Sequence, residues 1–238
     1  MRVVVEKDPA AVARAAADWL RDEIEAAVAQ RGRCLLALSG GRSPWQMLTA
    51  LADEPLPWDR LQVVQVDERV VPADDERRNA LHLAAELLAS GRLPRSAFHP
   101  MPVENPDLDA AAAAYEATLE RVGGLLPVLD VVQLGLGADG HTASLVPGDP
   151  VLEVADRDVA PCGAYQGLRR LTMTFPMLDR AQRVLWLVTG DDKAPALARL
   201  VAGDRSIPAG RVASARAAVF ADEAAAAALP ADRRGWRG

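Results

Sequence analysis

The sequence predicts an α/β fold three layers deep, with helices covering both faces of a mainly parallel sheet. Three observations carry this expectation. Short apolar runs alternate along the chain with longer amphipathic segments, the pattern that stacks helices on a sheet. Runs such as Leu61–Val66 and Val131–Leu134 are apolar almost throughout, as strands buried on both faces are. Glycine-rich or charged turns follow these runs directly, and ligands of open α/β sheets gather at such strand ends.

Arg2–Glu6 opens the chain as a short strand. Asp8 is placed to cap a helix with Pro9 at its first position, and Gly32 ends it. Val12, Ala16, Trp19, Leu20, Ile24 and Val28 recur along that helix at the spacing of one buried face. Cys34–Leu38 is the next strand, followed by the loop SGGRSP and a helix over Trp45–Ala52. Leu61–Val66 runs as a strand into the charged triplet Asp67–Arg69. Helices follow over Asn79–Ala89 and Leu108–Val122, with the proline-rich stretch Pro94–Pro106 connecting them inside one domain. Val131–Leu134, Arg170–Phe175 and Val184–Val188 read as strands and Ala194–Ala202 as a helix. Ala217–Phe220 is the last strand, before a terminal alanine helix. The alanine runs Ala110–Ala114 and Ala224–Ala228 belong to helices rather than linkers, because alanine has the strongest helix propensity. No repeat or linker divides the chain, so residues 1–238 are expected to form a single domain.

Composition narrows the function classes. An apolar fraction of 50% and a charged fraction of 25% are those of an ordinary globular protein. A net charge of −6 argues against a general nucleic-acid binder, though not against a site for a small anion. No apolar run reaches membrane-spanning length, and Met1–Lys7 has no leader-like character. Cys34 and Cys162 lack metal or redox spacing and point to a reducing compartment, so a cytoplasmic protein is expected. Arginine is the basic residue almost everywhere; the only lysines are Lys7 and Lys193.

The most informative stretch is Leu129–Pro147, a buried strand that runs straight into a glycine loop. Gly135, Gly137 and Gly140 let backbone approach an anion, while Asp139 and His141 supply a carboxylate two residues from an imidazole. With only three histidines in the chain, this one is the candidate general base. The glycines also spell G-x-G-x-x-G, but a dinucleotide fingerprint needs a long helix next, and Pro147, Gly148 and Pro150 follow instead. Asp156 and Asp158 lie near the distance of a ribose-binding acid without a clear strand to deliver them.

Three further strand ends carry candidate chemistry. Ser39–Pro44 offers Gly40, Gly41, Arg42 and Ser43 before a helix, a geometry that suits phosphate, although paired glycines also make plain turns. It lacks the spacing of a Walker loop. Asp67-Glu68-Arg69 is either a solvated turn or a place where Asp67 meets sugar hydroxyls or a catalytic partner and Arg69 an anion. Arg170 stands at the entry of its strand, and Lys193 is a compact cation at a helix start, within Thr189–Lys193. His82 and His99 read as structural. No zinc spacing and no G-x-S-x-G elbow is present.

Taken in order, LALSGGRSP, VDERVVPADD with Asn79, QLGLGADGHTASLVPG, RRLTMTFPMLDRA and GDDKAPAL resemble the 6-phosphogluconolactonase family over nearly the whole chain. DGHTASL is the most specific of these elements. The resemblance implies a Rossmann-like α/β/α fold and hydrolysis of 6-phospho-D-glucono-1,5-lactone without metal or organic cofactor. It further implies a monomer acting on a small sugar-phosphate lactone, with neither nucleic acid nor membrane as partner. His141 matches the family's proposed base, and Asp139 and Asp67 match polar residues around it and the sugar. Gly40, Gly41 and Ser43 match the phosphate-side loop; Arg69, Arg170 and Lys193 match anion-binding positions. Three departures stand out: Arg42 in GGRSP, Val146 in SLVPG, and Arg78 before Asn79. The alternatives are a glucosamine-6-phosphate deaminase or isomerase, which would carry a glutamate soon after the histidine, and a non-catalytic sugar-phosphate sensor. Here no glutamate follows until Glu153.

Overall fold

A computed structural model describes residues 1–213 and 215–233; residues 234–238, included in the single-domain expectation, lie outside the described residues, as does Ser214. Strands β1 (Arg2–Glu6), β2 (Cys34–Leu38), β3 (Leu61–Gln65), β4 (Asp67–Arg69), β5 (Phe98–His99) and β6 (Val131–Gly135) precede β7 (Val159–Tyr165), β8 (Leu168–Met173), β9 (Arg183–Val188) and β10 (Ala217–Asp222). The principal helices are α1 (Pro9–Arg31), α2 (Arg42–Ala52), α3 (Asn79–Leu88), α4 (Leu108–Gly123), α5 (Phe175–Asp179) and α6 (Ala194–Val201). Seven strands form one sheet in the order β1-β10-β9-β6-β2-β3-β5, all pairs parallel. The remaining three, β4-β8-β7, form a separate antiparallel sheet.

Side-chain alternation along the parallel strands divides the core in two. Cys34, Leu36 and Leu38 of β2 join a cluster with α1, α2 and α3, whereas Leu35 and Ala37 face α4, α6 and the antiparallel sheet. Both faces are thus covered, and each fully buried leucine contributes about 1.5–3 kcal/mol relative to exposure. Helix α1 starts and stops as its sequence dictates. The Asp8 carboxylate accepts from Ala11 N–H at 2.8 Å, and Gly32 closes the helix in the left-handed region at φ 72°. Tyr115 of α4 anchors the thin β5 edge, accepting from Gln65 N–H at 2.6 Å and donating to the His99 carbonyl at 3.1 Å.

Four elements differ from the sequence reading, each for a local reason. Leu61–Arg69 does not run as a strand into a turn: at Val66 the chain changes sheets. Val66 N–H donates to Leu38 in the parallel sheet, while its carbonyl accepts from Met173 in the antiparallel one. The strand expected over Arg170–Phe175 spans Leu168–Met173, so Arg170 is paired within it rather than standing at its entry, and it ends at Met173 because Pro176 cannot donate to a ladder and instead sits in the first turn of α5. Helix α2 starts at Arg42 rather than Trp45, since Gly41 turns the chain at φ 128° and Pro44 is tolerated in the first turn. The alanine run near the C-terminus makes only one 3₁₀ turn over Ala225–Ala228, too short to nucleate an α-helix before Pro230. The Ala110–Ala114 run does lie inside α4.

Candidate active site

Strands β2, β3 and β5 follow one another towards one edge of the sheet, while β6, β9 and β10 build towards the other. The direction of winding reverses between β2 and β6, and the crevice at such a switch point is where open α/β sheets hold ligands. Ser39 ties the two strand ends together: its N–H donates to Gln133 Oε1 at 3.1 Å and its hydroxyl to the Gln133 carbonyl at 3.0 Å.

A pocket of about 190 Å³ lies there, walled by Ser39, Gly40, the Gly135–Gly137 backbone, Ala143 and the side chains of Asp67, Arg69, Asn79, His141, Arg170 and Lys193. A roomier cleft of about 630 Å³ beside Trp19 and Phe220 contains no histidine and no glycine loop, so size alone does not locate the chemistry.

The glycine loop is built around one hydrogen bond. His141 Nδ1 lies 2.6 Å from Asp139 Oδ1, which also accepts the His141 backbone N–H at 3.1 Å. With Nδ1–H donating to the carboxylate, Nε2 is the imidazole's free acceptor. A Cβ on Gly137 would fall 2.0 Å from His141 Nδ1, so only glycine lets the ring pack against the loop. Burial raises the Asp139 carboxyl, but the backbone and ring donors of His141 outweigh it and hold the group below its ordinary range. Tyr165, at the end of β7, meets the His141 ring edge-on with centroids 5.1 Å apart and points its hydroxyl at Asp139 Oδ2, 3.5 Å away. No helix follows the glycines; a two-residue bridge, Thr142 to Leu145, and turns take its place. That removes the structural context a dinucleotide fingerprint requires.

Asp67 is buried at the β4–β8 junction. Its carboxylate accepts the Ser144 hydroxyl at 2.5 Å and lies 4.0 Å from Arg170 Nη1. Val70 N–H donates to the Arg169 carbonyl, and Arg170 pairs with Arg69 in the strand register, which sets two guanidinium groups side by side. Burial lowers the Arg170 guanidinium from its ordinary value, an effect the Asp67 carboxylate opposes. Arg170 also lies over the Tyr165 ring, 5.2 Å from its centroid. Glu68, fully buried, accepts from the backbone N–H groups of Asn79 and Ala80 at 2.9 and 2.7 Å, and so holds the start of α3 against β4. Neither half of the solvated-turn reading survives for this triplet.

Lys193 lines the pocket with Nζ 2.9 Å from Asp192. The N-terminus of α2 reaches the same turn through Ser43, whose hydroxyl meets that of Thr189 at 2.7 Å. Of the expected phosphate loop, Gly40 is in the wall; Gly41, Arg42 and Ser43 are not among its lining residues, and Arg42 is exposed. Asp139 supports His141 from outside the lining. Sequence reasoning missed Ser144, although it lies inside DGHTASL, and Tyr165, because only the fold brings them to Asp67 and His141. The other histidines are held elsewhere: His82 stacks on Trp45, and His99 Nε2 meets Gln62 at 2.7 Å. Among the described residues no histidine, cysteine and carboxylate cluster is arranged to hold a metal ion, and no helix is long and apolar enough to cross a membrane.

Comparison with known proteins matches this geometry to one family. A family model described as glucosamine-6-phosphate isomerases/6-phosphogluconolactonase covers residues 7–221. The 6-phosphogluconolactonase of Synechocystis sp. is 40% identical over 183 residues, which is 75% of this chain and 76% of the relative. The structure of 6-phosphogluconolactonase from Trypanosoma cruzi aligns with a TM-score of 0.86 at 27% identity, covering 96% of both chains. A monomeric glucosamine-6-phosphate deaminase aligns with a TM-score of 0.83 at 20% identity over 96% of this chain and 100% of its own, a likeness of fold alone. On the extent of these matches, and with the sheet, the glycine loop and the basic pocket all in place, the chain belongs to the glucosamine-6-phosphate isomerase/6-phosphogluconolactonase family.

Proposed function

We propose that this protein is a 6-phosphogluconolactonase, hydrolysing 6-phospho-D-glucono-1,5-lactone to 6-phospho-D-gluconate in the oxidative pentose phosphate pathway. The observation that carries the reading is His141: its Nδ1 is held by Asp139 at 2.6 Å while the ring opens onto a pocket with three cationic side chains. In this mechanism Nε2 takes a proton from water as the water oxygen bonds to lactone C1. The tetrahedral intermediate then collapses, the bond from C1 to the ring oxygen breaks, and the imidazolium returns the proton to that oxygen. One water is consumed, and the product is a hydroxy acid. Asp139 stabilises the imidazolium between the two steps.

The N–H groups of Gly137, Gly140 and His141 are committed within the loop, to the His141 carbonyl, the Gly137 carbonyl and Asp139. Negative charge developing on the carbonyl oxygen therefore falls to the cations rather than to the glycine loop. Arg170 suits this end, because Tyr165 touches both its guanidinium and the His141 ring. Asp67 is a positioning residue that orients Arg170, and Arg69 adds charge beside it. Lys193 and the Gly40–Ser43 turn take the phosphate.

A deaminase needs further acid–base groups after the histidine. The acids available here are engaged elsewhere: Asp149 accepts from Val151 and Gly163 N–H, and Glu153 pairs with Arg211 at 3.3 Å. The test is a time course of lactone loss with purified protein, corrected for spontaneous hydrolysis, with glucosamine-6-phosphate as rival substrate. Binding of 6-phosphogluconate without faster lactone loss would favour a sensor, and turnover of the amino sugar would favour a deaminase.

A further inference from the structure

We infer that Asn79 is a specificity-determining residue whose side-chain carbonyl accepts a hydrogen bond from one ring hydroxyl of the substrate. The inference deepens the lactonase reading and rests on it. Asn79 is the first residue of α3 and only 1% exposed, and it lines the pocket. Its Nδ2 faces two acceptors, the Asp67 carbonyl at 3.1 Å and the Asp67 carboxylate at 3.5 Å. Turning the amide over would place Oδ1 against both, so the chemistry of Asp67 fixes the amide with Nδ2 towards Asp67 and Oδ1 against Gly40, itself a residue of the pocket wall.

Oδ1 has no hydrogen-bond partner within the protein, although it is buried. An unmet buried acceptor is costly, and it persists where a ligand completes it. Gly40 leaves the room: a Cβ there would lie 1.8 Å from Oδ1 and would push the amide aside. Two donors of the same wall are likewise unmet, Arg69 Nε and Arg170 Nε. The pocket therefore offers a polarised set, with cationic donors for anionic oxygens and one neutral acceptor that neither a phosphate dianion nor a lactone carbonyl can satisfy. A hydroxyl group can. The ligand class this describes is a polyhydroxylated phosphate ester, and Asn79 reads a hydroxyl rather than the phosphate.

The experiment compares 6-phosphogluconolactone with its 2-, 3- and 4-deoxy forms on the wild-type protein, Asn79→Ala and Gly40→Ala. On the wild type a single deoxy lactone should lose roughly 5–150-fold in kcat/KM, the range set by leaving a buried acceptor unpaired. Asn79→Ala should lose a similar factor on the parent lactone yet treat that same deoxy form as well as the parent. Gly40→Ala, which displaces the amide without changing its chemistry, should abolish the same discrimination, so the question stays answerable even where Asn79→Ala folds poorly. Losses of equal factor on all four lactones would assign Asn79 a purely structural role and overturn the inference. A wild-type protein inactive on the parent lactone would instead overturn the lactonase reading. The same hydroxyl preference would then be read by calorimetry, using 6-phosphogluconate and its deoxy forms, and its absence would overturn the inference separately.

Discussion

Asp139→Asn isolates what the carboxylate does for His141, because it preserves shape and removes charge. In the proposed mechanism one oxygen of Asp139 fixes the Nδ1–H tautomer and balances the imidazolium formed while a proton is in transit. With charge centres about 4 Å apart, the attraction is about 1 kcal/mol at the dielectric of water and about 4 kcal/mol at the effective value for sites near a protein surface. The side chains of His141 and Asp139 are 24% and 39% exposed, so solvent screening moves the effect well below the upper bound. Loss of the charge should therefore lower kcat by about 10–100-fold, less than loss of the base itself. KM should move little, since in that mechanism the carboxylate charge acts only once the imidazolium has formed. The assay is the initial rate of lactone hydrolysis, with the spontaneous rate subtracted, alongside a thermal melt. A variant with more than half of the wild-type kcat would show that the contact orients nothing that matters to the reaction. A kcat loss matched by a collapse of the melting temperature would make the contact a structural one.

Other outcomes follow from the same geometry. His141→Ala should lose about 10²–10⁴-fold in catalysed rate while still binding 6-phosphogluconate, and near-normal turnover would remove it from the mechanism. Lys193→Ala should lose about 10–150-fold in kcat/KM on the phosphorylated lactone, through KM, and almost nothing on unphosphorylated gluconolactone. Equal losses on the two substrates would assign Lys193 to the fold. In acid, stability should decline as carboxylates are protonated. Asp75 is held down to about 2 by its hydrogen bond from Arg77, and Asp204 to about 2 by Ser206 and Arg199. Because these folded-state values lie below the unfolded one, near about 3.9, their contribution is complete above that pH and disappears as pH falls towards about 2. Melting temperatures should therefore drop between pH 5 and pH 2, roughly the window those values define, and an unchanged melt across it would contradict these pairings.

How much of this was legible in the sequence depends on how locally each feature is encoded. Val131–Leu134 and Val184–Val188 announce themselves because strands covered on both faces carry apolar residues at every position. Strand β7 does not: VAPCGAY contains Pro161 and Gly163, which only an edge strand tolerates, and β7 pairs with β8 alone. Asp67–Arg69 looks like a solvated turn because three charges in a row are costly to bury. The structure buries the two acids by giving Glu68 three backbone donors and Asp67 a hydroxyl and a guanidinium, and leaves Arg69 half-buried. His141 with Asp139 was readable, since two residues of one loop set the contact. Ser144 and Tyr165 were not, because their partners are 77 and 26 residues away. The GGRSP loop was readable as a turn before a helix, but not that Ser43 would face Thr189 across 146 residues.

Those separations bear on how the protein comes to life. Ser39 meets Gln133 across 94 residues, Asp67 meets Ser144 across 77, and Ser43 meets Thr189 across 146. Each closure must be made at an entropic cost before its contact returns anything, and parallel pairing delays it further. Helix α1 can form within its own sequence, whereas the pocket exists only when β2, β6, β8 and the turn before α6 have all docked. During refolding, helical signal should therefore recover ahead of lactone turnover, with the enzyme assay tracking the slowest kinetic phase. A bound phosphorylated sugar acid, touching segments from residue 39 to residue 193, would act as a clasp on the whole chain rather than on one loop.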